Sequence, residues 1–210
     1  MYAATVNGRT LTFEAAAVWR RNMILRDRET HTLWQHATGE ALIGPLAGAS
    51  LEWLGGEQTT WSAWRGEHPD TVVAIEPAQW TGRVPRALVT RMLEFATTRG
   101  TALPGLSALD RRLPLHEPVI GVSLAGEARA YPLAALHQAG AINDSLGGIN
   151  LRLTYDPAAD RVRVWKMAVP QTGDEGGSSL EPLPAQRTWW KGWFEFHPAS
   201  GVYQASVEDR

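Results

Sequence analysis

The 210-residue chain contains no cysteine. That absence excludes disulfides, thiolate nucleophiles, iron–sulfur clusters and cysteine-ligated zinc together. No window approaches 18 consecutive apolar residues, which excludes a helical membrane span. Charge of either sign is scarce in excess: 20 Lys and Arg stand against 22 Asp and Glu, a formal net charge of -2. Nothing in that balance attracts nucleic acid or an anionic membrane. No glycine-rich phosphate loop lies between a strand and a helix, and no G-x-S-x-G elbow is present, which disfavours nucleotide use and serine hydrolysis. Residues 1–9 lack the basic segment and apolar run of a secretory signal. What the chain does have in excess is tryptophan, 10 residues, roughly three to four times ordinary usage.

Much of that tryptophan is repeated. Thr59, Trp61, Trp64, His68 and Pro69 recur as Thr188, Trp190, Trp193, His197 and Pro198, so T-x-W-x-x-W-x-x-x-H-P occurs twice at an offset of 129 residues. Leu51, Glu52, Leu54 and Val73 recur at the same offset as Leu180, Glu181, Leu183 and Val202, and Asp27 as Asp156. The expected organisation is a first β-rich unit at 1–80, a helix and extended connector at 81–118, and a second β-rich unit at 119–210, packed as one globule. The fold class is α+β and β-rich: two related antiparallel β units, each with a short W-x-x-W helix, joined by an amphipathic helix.

Local signals support the strands. Asn7-Gly8 before alternating Leu11 and Phe13 reads as a hairpin. Residues 119–131 turn at Ala125-Gly126, and 147–155 with 162–165 form a second hairpin around Asp156 to Asp160. Trp61, Trp64 and His68 share one helical face, with Thr60 as a cap and Pro69 as a stop. Pro85 opens a helix over 85–99 carrying Leu88, Met92, Phe95 and Ala96 on one side. Gly173 to Ser179 reads as a loop.

Specific phrases then identify a resemblance. Asp27-Arg28-Glu29-Thr30 with Leu33-Trp34-Gln35, Thr38-Gly39-Glu40 through Gly48, Asp110-Arg111-Arg112-Leu113-Pro114, Gly126 through Leu133 and Ile142-Asn143-Asp144 resemble the bacterial family called domain of unknown function 3179. The resemblance implies the periplasm or cell envelope, and members with a leader and a C-P-L-C motif. This chain looks like one that starts after that segment. Asp156 stands where the second unit would carry the motif's first cysteine, and Ala139 lies near the place of a family histidine, with His137 two residues earlier. Thiol or metal chemistry at that motif is beyond this chain.

Among candidate sites, the six histidines form no compact ligand pair, and no metal or other cofactor is expected. His68 and His197 read as helix-end residues that cap carbonyls and suit the C-terminal dipole. Trp61, Trp64, Trp190 and Trp193 read as repeated packing residues. Asp27 reads first as a turn aspartate. Asp27, Arg28, Trp34, Gln35 and Glu40 are nonetheless the best polar binding candidates, and Trp19, Trp53, Trp80 and Trp189 are available for a binding surface. The expected role is a non-catalytic binding or accessory subunit presenting tryptophans to a protein partner, with no nucleic acid partner. The alternative is an enzyme or redox-metal protein whose site is incomplete here.

Overall fold

A computed structural model describes residues 1–19, 22–54, 56–73, 110–167 and 180–204. The 85–99 helix, Trp80, most of the connector and the Gly173 to Ser179 loop lie outside the described residues. Within them the protein is β-rich α+β, with 14 strands in four sheets and three short helices.

The Asn7-Gly8 turn joins β1 (Thr5–Val6) and β2 (Arg9–Thr10), with Thr5 opposite Thr10. Both turn residues have positive φ, 50° and 75°, the conformation that matches the twist of a two-residue hairpin. A four-stranded antiparallel meander follows: β3 (Phe13–Trp19), β4 (Asn22–Asp27), β5 (Leu33–Gln35) and β6 (Ala41–Ile43). Its alternation sends Phe13, Leu25 and Trp34 to one face, where they pack with Val6, Leu11 and Ala41. The Phe13 ring meets Trp34 edge-on at 5.9 Å. After the meander, Thr60 caps α1 (Trp61–Glu67), as its hydroxyl accepts from Ala63 N.

From residue 118 two further sheets enclose the main core. The hairpin β7 (Pro118–Leu124) and β8 (Glu127–Pro132) turns at Ala125-Gly126, and β13 (Gln186–Trp189) and β14 (Gly201–Val202) flank it. The other sheet has the order β12 (Leu180–Pro182), β11 (Arg161–Met167), β10 (Ile149–Asp156), β9 (Ala141–Leu146). Between them, Ile120, Val122 and Tyr131 meet Ile142, Leu146, Leu151, Leu153 and Val164. Helix α2 (Leu133–Ala139) closes the core with Leu133 and Leu136. The sequence reading missed this helix, whose signals are Pro132 ahead of it and Gly140 after it, at φ 68°.

The opposite face of β7 carries Val119 and Gly121, against which α3 (Trp190–Phe196) lays Trp190 and Trp193. A Cβ on Gly121 would sit 2.2–2.5 Å from the Trp193 ring. Gly121→Ala is therefore expected to destabilise by about 2 kcal/mol, the usual size of an overpacking cost. Urea unfolding of the variant checks this; a midpoint equal to wild type would contradict the packing.

The two W-x-x-W helices share local bonds. His68 N donates to Trp64 O at 2.8 Å and His197 N to Trp193 O at 3.0 Å. Trp64 Nε1 donates to Thr71 Oγ1 at 2.9 Å, and Trp193 Nε1 to Ser200 Oγ at 2.7 Å. Two expectations need correction. The backbone N–H of each histidine makes the cap, and each imidazole lies against its tryptophan, at ring distances of 4.1 Å and 3.9 Å. Burial lowers the His197 pKa, against an opposing pull from Glu40, so its ring is kept neutral and brings no charge to the helix dipole. Nor do the four tryptophans share one packing role: Trp190 and Trp193 are buried, Trp64 is half-buried and Trp61 is 52% exposed. Helix α1 carries Arg65 and Glu67 where α3 carries Phe194 and Phe196, so it has less apolar surface to bury.

Candidate functional site

The structure divides the polar candidates. Asp27 ends β4 with no exposed surface, and its carboxylate accepts from Thr30 N at 2.5 Å, Thr30 Oγ1 at 2.8 Å, Thr32 N at 3.2 Å and Trp34 Nε1 at 2.8 Å. Burial alone would raise its pKa; the hydrogen bonds from Trp34, Thr30 and Thr32 outweigh that and lower it. Asp27 and Trp34 thus form a closed pair inside the first core, with no open approach for a ligand. Arg28 is exposed and pairs with Glu14 at 3.2 Å. Glu14 also binds Arg26.

Gln35 and Glu40 go elsewhere, with Trp19 and Trp53. All four line a cavity of about 510 Å³. Register pairing places Trp19 opposite Asn22 and Ile24 opposite Gln35, so Trp19, Ile24 and Gln35 share the sheet face that looks away from the Asp27 core. The far wall comes from the second half of the chain, including Ser123, Trp193 and His197. Tyr2 stands at the side, its ring 6.4 Å from Trp53 and its hydroxyl donating to Ala37 O at 2.7 Å. Burial and the Glu40 charge raise the Tyr2 pKa, so its hydroxyl stays protonated. A second cavity of about 350 Å³ adjoins this one and shares Tyr2, Ala37, Trp53 and Gln186.

One side chain in the larger cavity is unusual. Gln35 is 1% exposed, and its Oε1 accepts from Ala37 N at 3.2 Å, while its Nε2 has no hydrogen-bond partner among the described residues. A buried donor left in that state costs about 1–3 kcal/mol.

Two polar clusters were not picked out from the sequence. Asp144 accepts from Arg129 Nη1 at 2.6 Å and from the Tyr131 hydroxyl at 2.9 Å. Burial, then the Asp144 bond, push Tyr131 well above its ordinary value, which unfits the phenol as a base or nucleophile and leaves it a structural donor. The second cluster surrounds Arg161, only 5% exposed, with Glu67 at 2.8 Å, Glu57 at 3.4 Å and Asp156 at 3.5 Å. Among the described residues, no three His, Asp or Glu side chains are disposed to hold a metal ion, and no helix is long and apolar enough to cross a membrane.

The sequence profile of a family described as a protein of unknown function, DUF3179, matches residues 1–83 and 102–175. The chain belongs to the DUF3179 family. Its matched stretches include every cavity residue named above from the first half of the chain, together with Ser123, Arg129, Tyr131, Asp144 and Arg161; Trp193 and His197 lie beyond them. No curated protein and no solved structure matches the chain. Membership of DUF3179 therefore brings no activity with it, and function rests on the geometry.

Proposed function

We propose that this DUF3179 chain is a non-catalytic binding subunit of the bacterial cell envelope that docks a protein partner on the β3–β4 hairpin. The observation that carries this is an exposed apolar patch. Val18 and Met23 stand opposite one another on one face of the hairpin, 75% and 45% exposed. Strand β3 is the edge of its sheet among the described residues, and Ala15 through Trp19 are all exposed. An apolar edge strand offers a partner both unpaired backbone groups and contact area.

In this reading the chain comprises two related units, 1–80 and 119–210, linked through 81–118. Support comes from the helix-end hydrogen bonds that recur at the 129-residue offset, and from antiparallel meanders in both halves. The test is affinity purification from the source bacterium of wild-type protein and of Val18→Asp/Met23→Asp. A stoichiometric protein that co-elutes with wild type and is lost from the double variant is the expected result. Recovery of wild type as a free monomer, or the same protein on both, would overturn the reading.

A further inference from the structure

We infer that residues 56–67, α1 and the segment ahead of it, form an ionic strap that lifts off the second half of the chain while both cores stay folded, and that lifting joins two cavities into one open groove. The cavities, of about 350 and 340 Å³, share Gly56 and Glu57 of the strap and Val162 and Ala185 of the second half. Glu57 thus borders both. Among the described residues the strap is fastened by polar contacts to the β10–β11 hairpin. Arg161 gives Nη1 and Nη2 to Glu67, each at 2.8 Å, and Arg163 Nε reaches Glu57 at 2.7 Å. Thr59 Oγ1 and Thr60 N donate to Ala159 O, both at 2.9 Å.

Helix α1 has no fully buried residue, whereas its repeat counterpart α3 seats Trp190 and Trp193 in a core. Buried apolar area is what ties an element to global unfolding, so α3 opens only with its core while α1 is held by charge. That hold is shallow. Pairing Arg161, 5% exposed, also strips it of water, and lifting the strap restores the water. The Glu57 and Glu67 side chains stay about a third or more exposed, so salt reaches their side of the clasp. Gly56, which nothing crowds, lies at the base of the strap as a pivot. The closed strap is the resting state, and its opening is a local event that salt promotes, which ties access to both cavities to ionic conditions.

Hydrogen exchange of the full chain tests this, with the repeat as its internal control. The His68 and His197 amides donate to Trp64 O and Trp193 O, and the Trp64 and Trp193 indoles donate to Thr71 and Ser200, so each pair differs chiefly in its seat. In about 0.1 M NaCl the first-half member of each pair should exchange at least about tenfold faster than its counterpart. Raising NaCl to about 1 M should speed that member about fivefold more, the worth of one exposed ion pair, and leave its counterpart unchanged. Glu57→Gln/Glu67→Gln should speed exchange at His68 and Trp64 about tenfold, and should raise maleimide labelling of Ala185→Cys, in a chain otherwise free of cysteine, by a similar factor. The docking-patch variant Val18→Asp/Met23→Asp should change neither readout. A common rate for both members of each pair at both salt concentrations overturns the inference. So does thiol labelling that the double glutamine variant leaves unchanged, or equal acceleration of all four groups by salt.

Discussion

Asp27→Ala lowers stability by about 4 kcal/mol, at the upper end of single-site effects. Alanine removes an acceptor that takes four hydrogen bonds, and it leaves the donors of Trp34 and Thr32, both without exposed surface, unpaired. Each hydrogen bond to a charged group is worth about 1.5–3 kcal/mol, and the bonds are not additive. For a chain of this length the loss is a fall of about 12 °C in Tm. An asparagine in its place would retain an acceptor for Trp34 Nε1 but turn an amide donor toward other donors, so Asp27→Asn should lie between alanine and wild type. Calorimetry of the three proteins orders them; an alanine variant within about 1 °C of wild type, well under the shift from 1 kcal/mol, contradicts the structure.

The same carboxylate makes stability depend on acid. Its folded pKa lies below the ordinary 3.8, so its contribution is complete above that value and is lost as pH falls through it and below. Glu67, Asp110 and Asp144 are lowered too, Glu67 and Asp110 foremost by arginine hydrogen bonds and Asp144 by bonds that outweigh its burial. His197 adds an earlier step, because a depressed imidazole begins to oppose folding as pH drops below 6.5. Urea midpoints should therefore decline from pH 7 to pH 5 and more steeply below pH 4. In Asp27→Ala the steep limb should be shallower.

Arg161→Met is the second large effect, about 3 kcal/mol. The guanidinium is buried and gives both Nη atoms to Glu67 at 2.8 Å, with Glu57 and Asp156 close by. Removing it takes the shared cation from Glu67, Glu57 and Asp156 and leaves Arg163, 2.7 Å from Glu57 and 3.6 Å from Glu67, as the arginine beside the first two. Each carboxylate is at least one third exposed on its side chain, so water repays part of the loss and the effect stays below that of Asp27. Because Glu57 and Glu67 belong to the first half and Arg161 to the second, limited proteolysis should also cut the variant faster between the halves. Equal midpoints and equal digestion would show that the cluster is dispensable.

Local chemistry made the hairpins readable from the chain. Asn7-Gly8 and Ala125-Gly126 lie between alternating apolar residues, and Thr60 and Pro69 bracket α1 within a few positions. Helix α2 escaped because seven residues with two buried leucines carry little periodic signal. Asp27 was half legible: its bond to Thr30 N is the turn role a short-range pattern predicts, while its burial under Trp34 needs the sheet pairing. Gln35 and Glu40 could be proposed from the sequence, but not their separation from Asp27, Trp34 and Arg28. That division follows from strand parity and from walls contributed by Ser123 and His197, which no local pattern places near Gln35. Arg161 was invisible for the same reason, having Glu67 and Glu57 94 and 104 positions away.

The contact of α1 with the β10–β11 turn also sets an order of events during synthesis. Thr59 Oγ1 and Thr60 N both donate to Ala159 O at 2.9 Å across 100 positions of chain, so a ribosome must add that stretch before the helix can seat. Domains emerge N-terminus first at roughly 5–20 residues per second, so α1 waits on the order of 5–20 s for its acceptor. Closing so long a loop is entropically costly and falls late in folding, which leaves Trp61 and Trp64 exposed on the nascent chain until the second hairpin has formed.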